Sequence, residues 1–229
     1  MAKIRNLFIG IDLGGKKKKT TGVCILEERN EKLVFLKEYC SKCQDVKGEE
    51  ILKVIRPYSK ETKIVAIDAP LTKGRGKGDM RLYEKFLSTR IFRQAKITPI
   101  PPALMPSLCS FGSEIVKKLD KEGFVLDLNL IEVFPTLVQK ITSRDFPSQF
   151  LKGKPPCKSE NQKSALICAI LAFLHFNFKT RYLGYKDGFL FLPEFSFWQK
   201  KWQQKFYQGW QERNRLRYKY LITNIFDKK

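Results

Sequence analysis

The stretch LFIGIDL, residues 7–13, is a short apolar run that closes on an acid, and IVAIDAP, residues 64–70, repeats the arrangement. Runs of this length and composition suit strands of a sheet buried on both faces. Each ends in an aspartate, Asp12 or Asp68. A third run, residues 128–134, carries Glu132 and is followed by Pro135, which can open a helix. Strands with acids near their ends, separated by helical segments, point to an α/β sheet in which side chains gather at the strand ends beside a crevice.

Working outward, Gly14, Gly15 and the four lysines Lys16, Lys17, Lys18 and Lys19 make a turn after the first run. Residues 20–27 and 32–39 read as two more strands, which completes an antiparallel meander. Residues 49–56 carry a helical period that stops before Pro57. Beyond Asp68 the pattern is less regular. Helices are expected over 80–90 and 113–122, around a loop containing Pro99, Pro101, Pro102 and Pro106. Residues 159–178 read as a long buried helix with Ser159 as its N-cap. A hairpin is expected over 185–192, turning at Asp187 and Gly188. The expected fold class is therefore α/β: a mixed five-stranded sheet, three strands antiparallel and the rest parallel, flanked by helices. Residues 1–192 form the domain, with a helical, proline-rich insert at about 71–127. Residues 193–229 form a basic, aromatic helical extension packed on it.

In that extension Trp198, Trp202, Phe206 and Trp210 recur every four residues, one stripe of a helix over 196–220. The stripe reads as a docking face rather than a stacking platform for single-stranded nucleic acid. Lys200, Lys201, Lys205, Arg213, Arg215, Arg217 and Lys219 surround it.

The charge balance selects the partner. The chain has 44 Lys and Arg against 23 Asp and Glu, a net charge of +21. Such an excess favours a polyanion, so a nucleic acid, DNA or RNA, is the expected partner. Lys73, Arg75, Lys77 and Arg81 follow Asp68 as Lys16 to Lys19 follow Asp12, and both groups are candidate phosphate contacts. The glycine-rich stretch 74–78 lacks the Walker pattern and reads as a flap. Carboxylates converging at strand ends repel one another unless a cation joins them, and hard oxygen donors select Mg²⁺ or Mn²⁺. Zinc is disfavoured: six cysteines include one Cys-x-x-Cys pair, Cys40 and Cys43, and the single histidine, His175, sits in an apolar segment. With neither a signal peptide nor an apolar run long enough to span a bilayer, a reduced cytoplasmic protein is expected, without a membrane partner.

The segments IGIDLGG (9–15), TTGVCIL (20–26), IVAIDAPL (64–71), LIEVFPT (130–136) and SALICAILA (164–172) together resemble, in order, the domain of unknown function 429 family. That family is described as a predicted nuclease with a ribonuclease-H-like fold. The resemblance spans about residues 4–192 and implies a metal-dependent nuclease. Its acids carry over as Asp12, Asp68 and Glu132, catalytic and metal-binding. Where the family's helix opens with an aspartate, this chain has Ser164, and Glu160 one turn earlier is the candidate replacement. Arg75, Asp79 and Arg81 resemble a further arginine–aspartate–arginine element. Two alternatives stand beside the nuclease: a nucleic-acid binder that keeps the fold after losing its fourth acid, and a phosphotransferase of the actin-like class. The latter is suggested by IDLGG and TTG, but that class normally needs two such domains.

Overall fold

The computed structural model describes residues 5–36, 44–214 and 220–226. Its centre is a six-stranded mixed sheet built on β1 (Leu7–Asp12). β2 (Thr21–Arg29) runs antiparallel beside it, and β3 (Lys32–Phe35) pairs antiparallel with the far end of β2. The near end of β2 takes β4 (Gln44–Val46), a three-residue strand that the sequence pattern does not announce. It makes the sheet six-stranded rather than five-stranded. After α1 (Ile51–Ile55) the chain enters β5 (Thr62–Asp68), parallel to β1 on its other side.

The insert follows, with α2 (Leu82–Leu87), α3 (Arg90–Gln94) and α4 (Pro106–Asp120). The single helix expected over 80–90 is broken at Thr89, whose backbone is extended, while the Ser88 hydroxyl returns to the Glu84 carbonyl. The helix expected over 113–122 starts earlier, with Pro106 opening its first turn. β6 (Leu130–Glu132) then adds in parallel to β5, and α5 (Pro135–Ile141) begins on the proline. The order across the main path is β3-β2-β1-β5-β6.

α6 (Glu160–Phe176) is the organising helix. Ser159 caps it, its hydroxyl accepting from the Gln162 amide at 3.1 Å. The helix is apolar nearly all round because it is covered on nearly all sides. It lies directly on β1 and β2, where two glycines permit the approach. A Cβ on Gly10 would stand 2.0 Å from the Ala165 carbonyl oxygen, and one on Gly22 would stand 2.2 Å from that of Asn161. The opposite face of the sheet packs on α1 and α4 through a second cluster that includes Ile9, Ile67, Ile51 and Ile115.

The hairpin strands are longer than expected: β7 (Thr180–Tyr185) and β8 (Gly188–Pro193), which form a separate three-stranded sheet with β9 (Ile222–Thr223). The turn residues are Lys186 and Asp187, because Tyr185 already pairs with Gly188. The Asp187 carboxylate accepts from the Leu82 amide at 2.8 Å, which ties this turn to the start of α2. In the extension the helix is α7 (Lys200–Glu212). Trp202 and Phe206 are buried in the same core as α6, and Trp198 joins them from just before the helix. The aromatic stripe is thus a docking face. Arg215, Arg217 and Lys219 lie outside the described residues, as do Cys40 and Cys43. Among the described residues no helix is long and apolar enough to cross a membrane.

Candidate active site

The register of the sheet assembles the site. Asp12 on β1 is the direct partner of Asp68 on β5 and, on the other side, of Gly22 on β2. Gly22 in turn pairs with Asp45 on β4. Asp45, Gly22, Asp12 and Asp68 therefore form one row across four strands, and residues in such a row face the same side of a sheet. That side is the α6 side, since Phe8 and Ala66, even-numbered steps from Asp12 and Asp68, pack in the α6 cluster. Because Gly22 has no side chain, α6 settles over the gap in the row and brings Ser164 to Asp12, with which it shares a hydrogen bond.

Asp45 was not among the residues expected from sequence. Its oxygens accept from the Ser159 hydroxyl at 2.9 Å and from the Gln162 side-chain amide at 3.1 Å, so it is fastened to the first turn of α6. No periodic signal marks a strand of three residues, and only the pairing with β2 places this acid in the row.

Burial and neighbouring negative charge raise the proton affinity of Asp12 and Asp68. Burial, then the charge of Asp45, pushes the Asp12 carboxyl up to about 6, against the pull of the Ser164 hydrogen bond. Burial pushes Asp68 well above the ordinary carboxylate range, and the charges of Asp12 and Glu132 add to it. The charges acting on this pair are thus carboxylates, the condition under which a bound cation is most strongly favoured.

Glu132 is placed differently. It pairs with Ile67, one step before Asp68, and so alternates onto the opposite side of the sheet. One of its oxygens accepts from the Leu71 amide at 2.9 Å and from Arg81 Nη1 at 2.5 Å, and the other accepts from the Tyr83 hydroxyl. Arg81 also reaches Glu84 at 2.5 Å. Burial pushes the Glu132 carboxyl up, while Arg81, Tyr83 and the Leu71 amide counter it. Its charge is balanced within the protein, so it does not join the row as a third free ligand. Arg81, expected at the phosphate-binding surface, is 1% exposed and belongs to this buried network instead.

Glu160 is not brought into the row. Its side chain is 83% exposed and pairs with Lys163 at 2.6 Å, while Ser164 itself touches Asp12. Lys16, Lys17, Lys18 and Lys19 are exposed on the β1–β2 turn, which leaves the sheet directly after Asp12. Lys16 is held by Glu114 at 3.0 Å. Lys73, Arg75 and Lys77 are exposed on the loop that follows Asp68. This loop folds back on itself, since a Cβ on Gly74 would lie 2.2 Å from the Asp79 carbonyl oxygen. Among the described residues no group of three or more His, Cys, Asp or Glu is arranged to hold a metal ion, so a cation here would rest on the Asp12–Asp68 pair and on donors from outside that set. In comparisons with known protein families, curated proteins and solved structures, nothing matches this chain.

Proposed function

We propose that this protein is a metal-dependent nuclease that hydrolyses phosphodiester bonds in DNA or RNA, with a ribonuclease-H-like fold and kinship to the domain of unknown function 429 family. The observation that carries the reading is the pairing of Asp12 with Asp68 at the ends of two adjacent parallel strands, both on the α6 side. Support for the fold comes from the strand order, an antiparallel meander beside two parallel strands. Two hard carboxylates with raised proton affinity fit Mg²⁺ or Mn²⁺. Such an ion, when bound, would supply Lewis-acid chemistry at a phosphoryl group. Asp12 and Asp68 would hold it, Ser164 would orient Asp12, and Asp45 would add negative charge from the flank. Lys17, Lys18 and Lys19 on one side and Lys73, Arg75 and Lys77 on the other would position phosphates. Glu132 and Arg81 hold the start of the basic loop through Leu71 and Thr72 rather than touching substrate.

One observation favours the second reading, a nucleic-acid binder without catalysis: a serine, not an acid, meets Asp12 from the helix. The experiment that separates the two is cleavage of labelled single-stranded, double-stranded and branched DNA and RNA with Mg²⁺, Mn²⁺ or EDTA, with Asp12→Asn as control. The expected result is metal-dependent cleavage that Asp12→Asn abolishes. Binding without cleavage would establish the degenerate binder, and activity retained in Asp12→Asn would remove the Asp12–Asp68 site.

A further inference from the structure

Away from the acids, two adjoining recesses cut the surface between α5, α6 and α7. The first, of about 610 Å³, is lined by Lys140, Arg144 and Lys201 together with Thr136 and Gln139. The second, of about 600 Å³, shares Gln139, Thr142, Ser143 and Arg144 with it and continues to Glu160 and Lys163 on α6. Lys163 is exposed, while the next residue, Ser164, turns to Asp12, so the body of α6 separates this groove from the acid row. It is a second surface, distinct from the pair Asp12 and Asp68.

The charge of the groove is not cancelled locally. Lys140, Arg144 and Lys201 are all exposed, and among the described residues none of the three is in an ion pair. Glu160, which lines the second recess, is taken by Lys163 at 2.6 Å. The Asp145 carboxylate, beside Arg144 in sequence, accepts from the Ser143 hydroxyl instead. The C-terminus of α5 would ordinarily present carbonyl oxygens here, and these repel an anion. Gln199 covers them: its backbone amide donates to the Ile141 carbonyl at 2.8 Å, and its side-chain amide donates to the Thr142 carbonyl. The negative end of the helix is closed, and its flank is left to cations. Among the described residues, the buried polar atoms that lack a partner lie elsewhere, so no buried anchor awaits a compact ligand. Long exposed cations along an open groove suit an extended polyanion. Nucleic acid carries such charge densely, one per about 1.7 Å of duplex axis. We infer that the groove between α5, α6 and α7 is a phosphate track that holds the backbone of DNA or RNA away from the acids. The inference rests on the nucleic-acid partner, which the nuclease and the non-catalytic binder share, and not on catalysis.

The test is binding of labelled single- and double-stranded DNA and RNA in EDTA over a series of salt concentrations, with polyglutamate as a second polyanion. Lys140→Gln, Arg144→Gln and Lys201→Gln are combined in one variant. A control loses equal charge across the sheet, on α1 and α4, through Lys53→Gln, Lys117→Gln and Lys121→Gln. All six side chains are exposed, and unchanged melting temperatures verify both folds. The groove variant should lose two to three phosphate contacts, so its slope of log affinity against log salt on duplex should flatten by about 2. The control should flatten it far less. Equal or greater flattening in the control would overturn the track, since overall charge would then account for binding. No flattening in the groove variant, with binding intact, would overturn it and leave the nucleic-acid reading standing. Loss of polyglutamate binding by the groove variant, with nucleic-acid binding unchanged, would overturn it in favour of an acidic protein partner. Wild type that binds no nucleic acid would overturn the track and the reading on which it rests.

Discussion

The acids at the ends of β5 and β6 are neighbours in the sheet but live in opposite electrostatic regimes. Asp68, with Asp12 and Asp45 in its row, faces α6 among like charges. Glu132 faces the other way and is locked to Arg81, Tyr83 and the Leu71 amide. The first region is costly to fold without a ligand, and the second is self-contained. A strand-end acid keeps its charge available to an outside cation only when the fold withholds an internal one from it. The buried guanidinium of Arg81, the N-cap residue of α2, turns Glu132 from a candidate ligand into a brace.

The largest expected effect breaks the self-contained side. Arg81→Met leaves Glu132 and Glu84 buried without a counter-charge and should destabilise the protein by about 3–5 kcal/mol. Urea denaturation would measure it. A loss below about 1 kcal/mol would mean that the network is not the brace described here.

A smaller effect, of opposite sign, belongs to the other side. Folding raises the Asp12 carboxyl to about 6, so below pH 4 this group carries no penalty. Between about pH 4 and 6 the folded state holds more protons than the unfolded, and stability falls as pH rises through that window. At pH 7 in EDTA, Asp12→Asn should therefore be more stable than wild type by about 1–2 kcal/mol. Thermal denaturation should show wild type gaining stability from Mn²⁺ and Asp12→Asn gaining little. Equal gains would place the cation elsewhere.

The smallest effect tests the boundary of the site. Glu160→Gln should leave stability within about 0.5 kcal/mol and Mn²⁺ affinity unchanged, because Glu160 is exposed and engaged only with Lys163. A clear loss of Mn²⁺ affinity, read by calorimetric titration, would return Glu160 to the metal site and narrow the contrast between the two regions.

Much of this architecture is legible in the residues alone. The apolar runs ending at Asp12 and Asp68 fall on β1 and β5, the meander forms from the next two runs, and Ser159 caps the long helix expected over 159–178, which ends at Phe176. The aromatic stripe docks, as its four-residue spacing implies. These features are local: alternation, helical period and capping are written into neighbouring residues. Asp45 was not legible, because a three-residue strand carries no period and its place depends on pairing with β2. Nor was the fate of Arg81. Its neighbours Lys73, Arg75 and Lys77 are exposed, and nothing local distinguishes it from them before α2 packs against β6.

By itself, then, the sequence determined which segments are strands and helices, which faces are apolar, and that acids stand at strand ends amid an excess of positive charge. Only the tertiary structure decided which acids share a side, which one is neutralised, and which helix residue meets them. The physical reason is that register and the alternation of a pleated sheet set the direction of each carboxylate. A shift of one residue in the pairing sends it to the opposite face, where a different set of charges awaits.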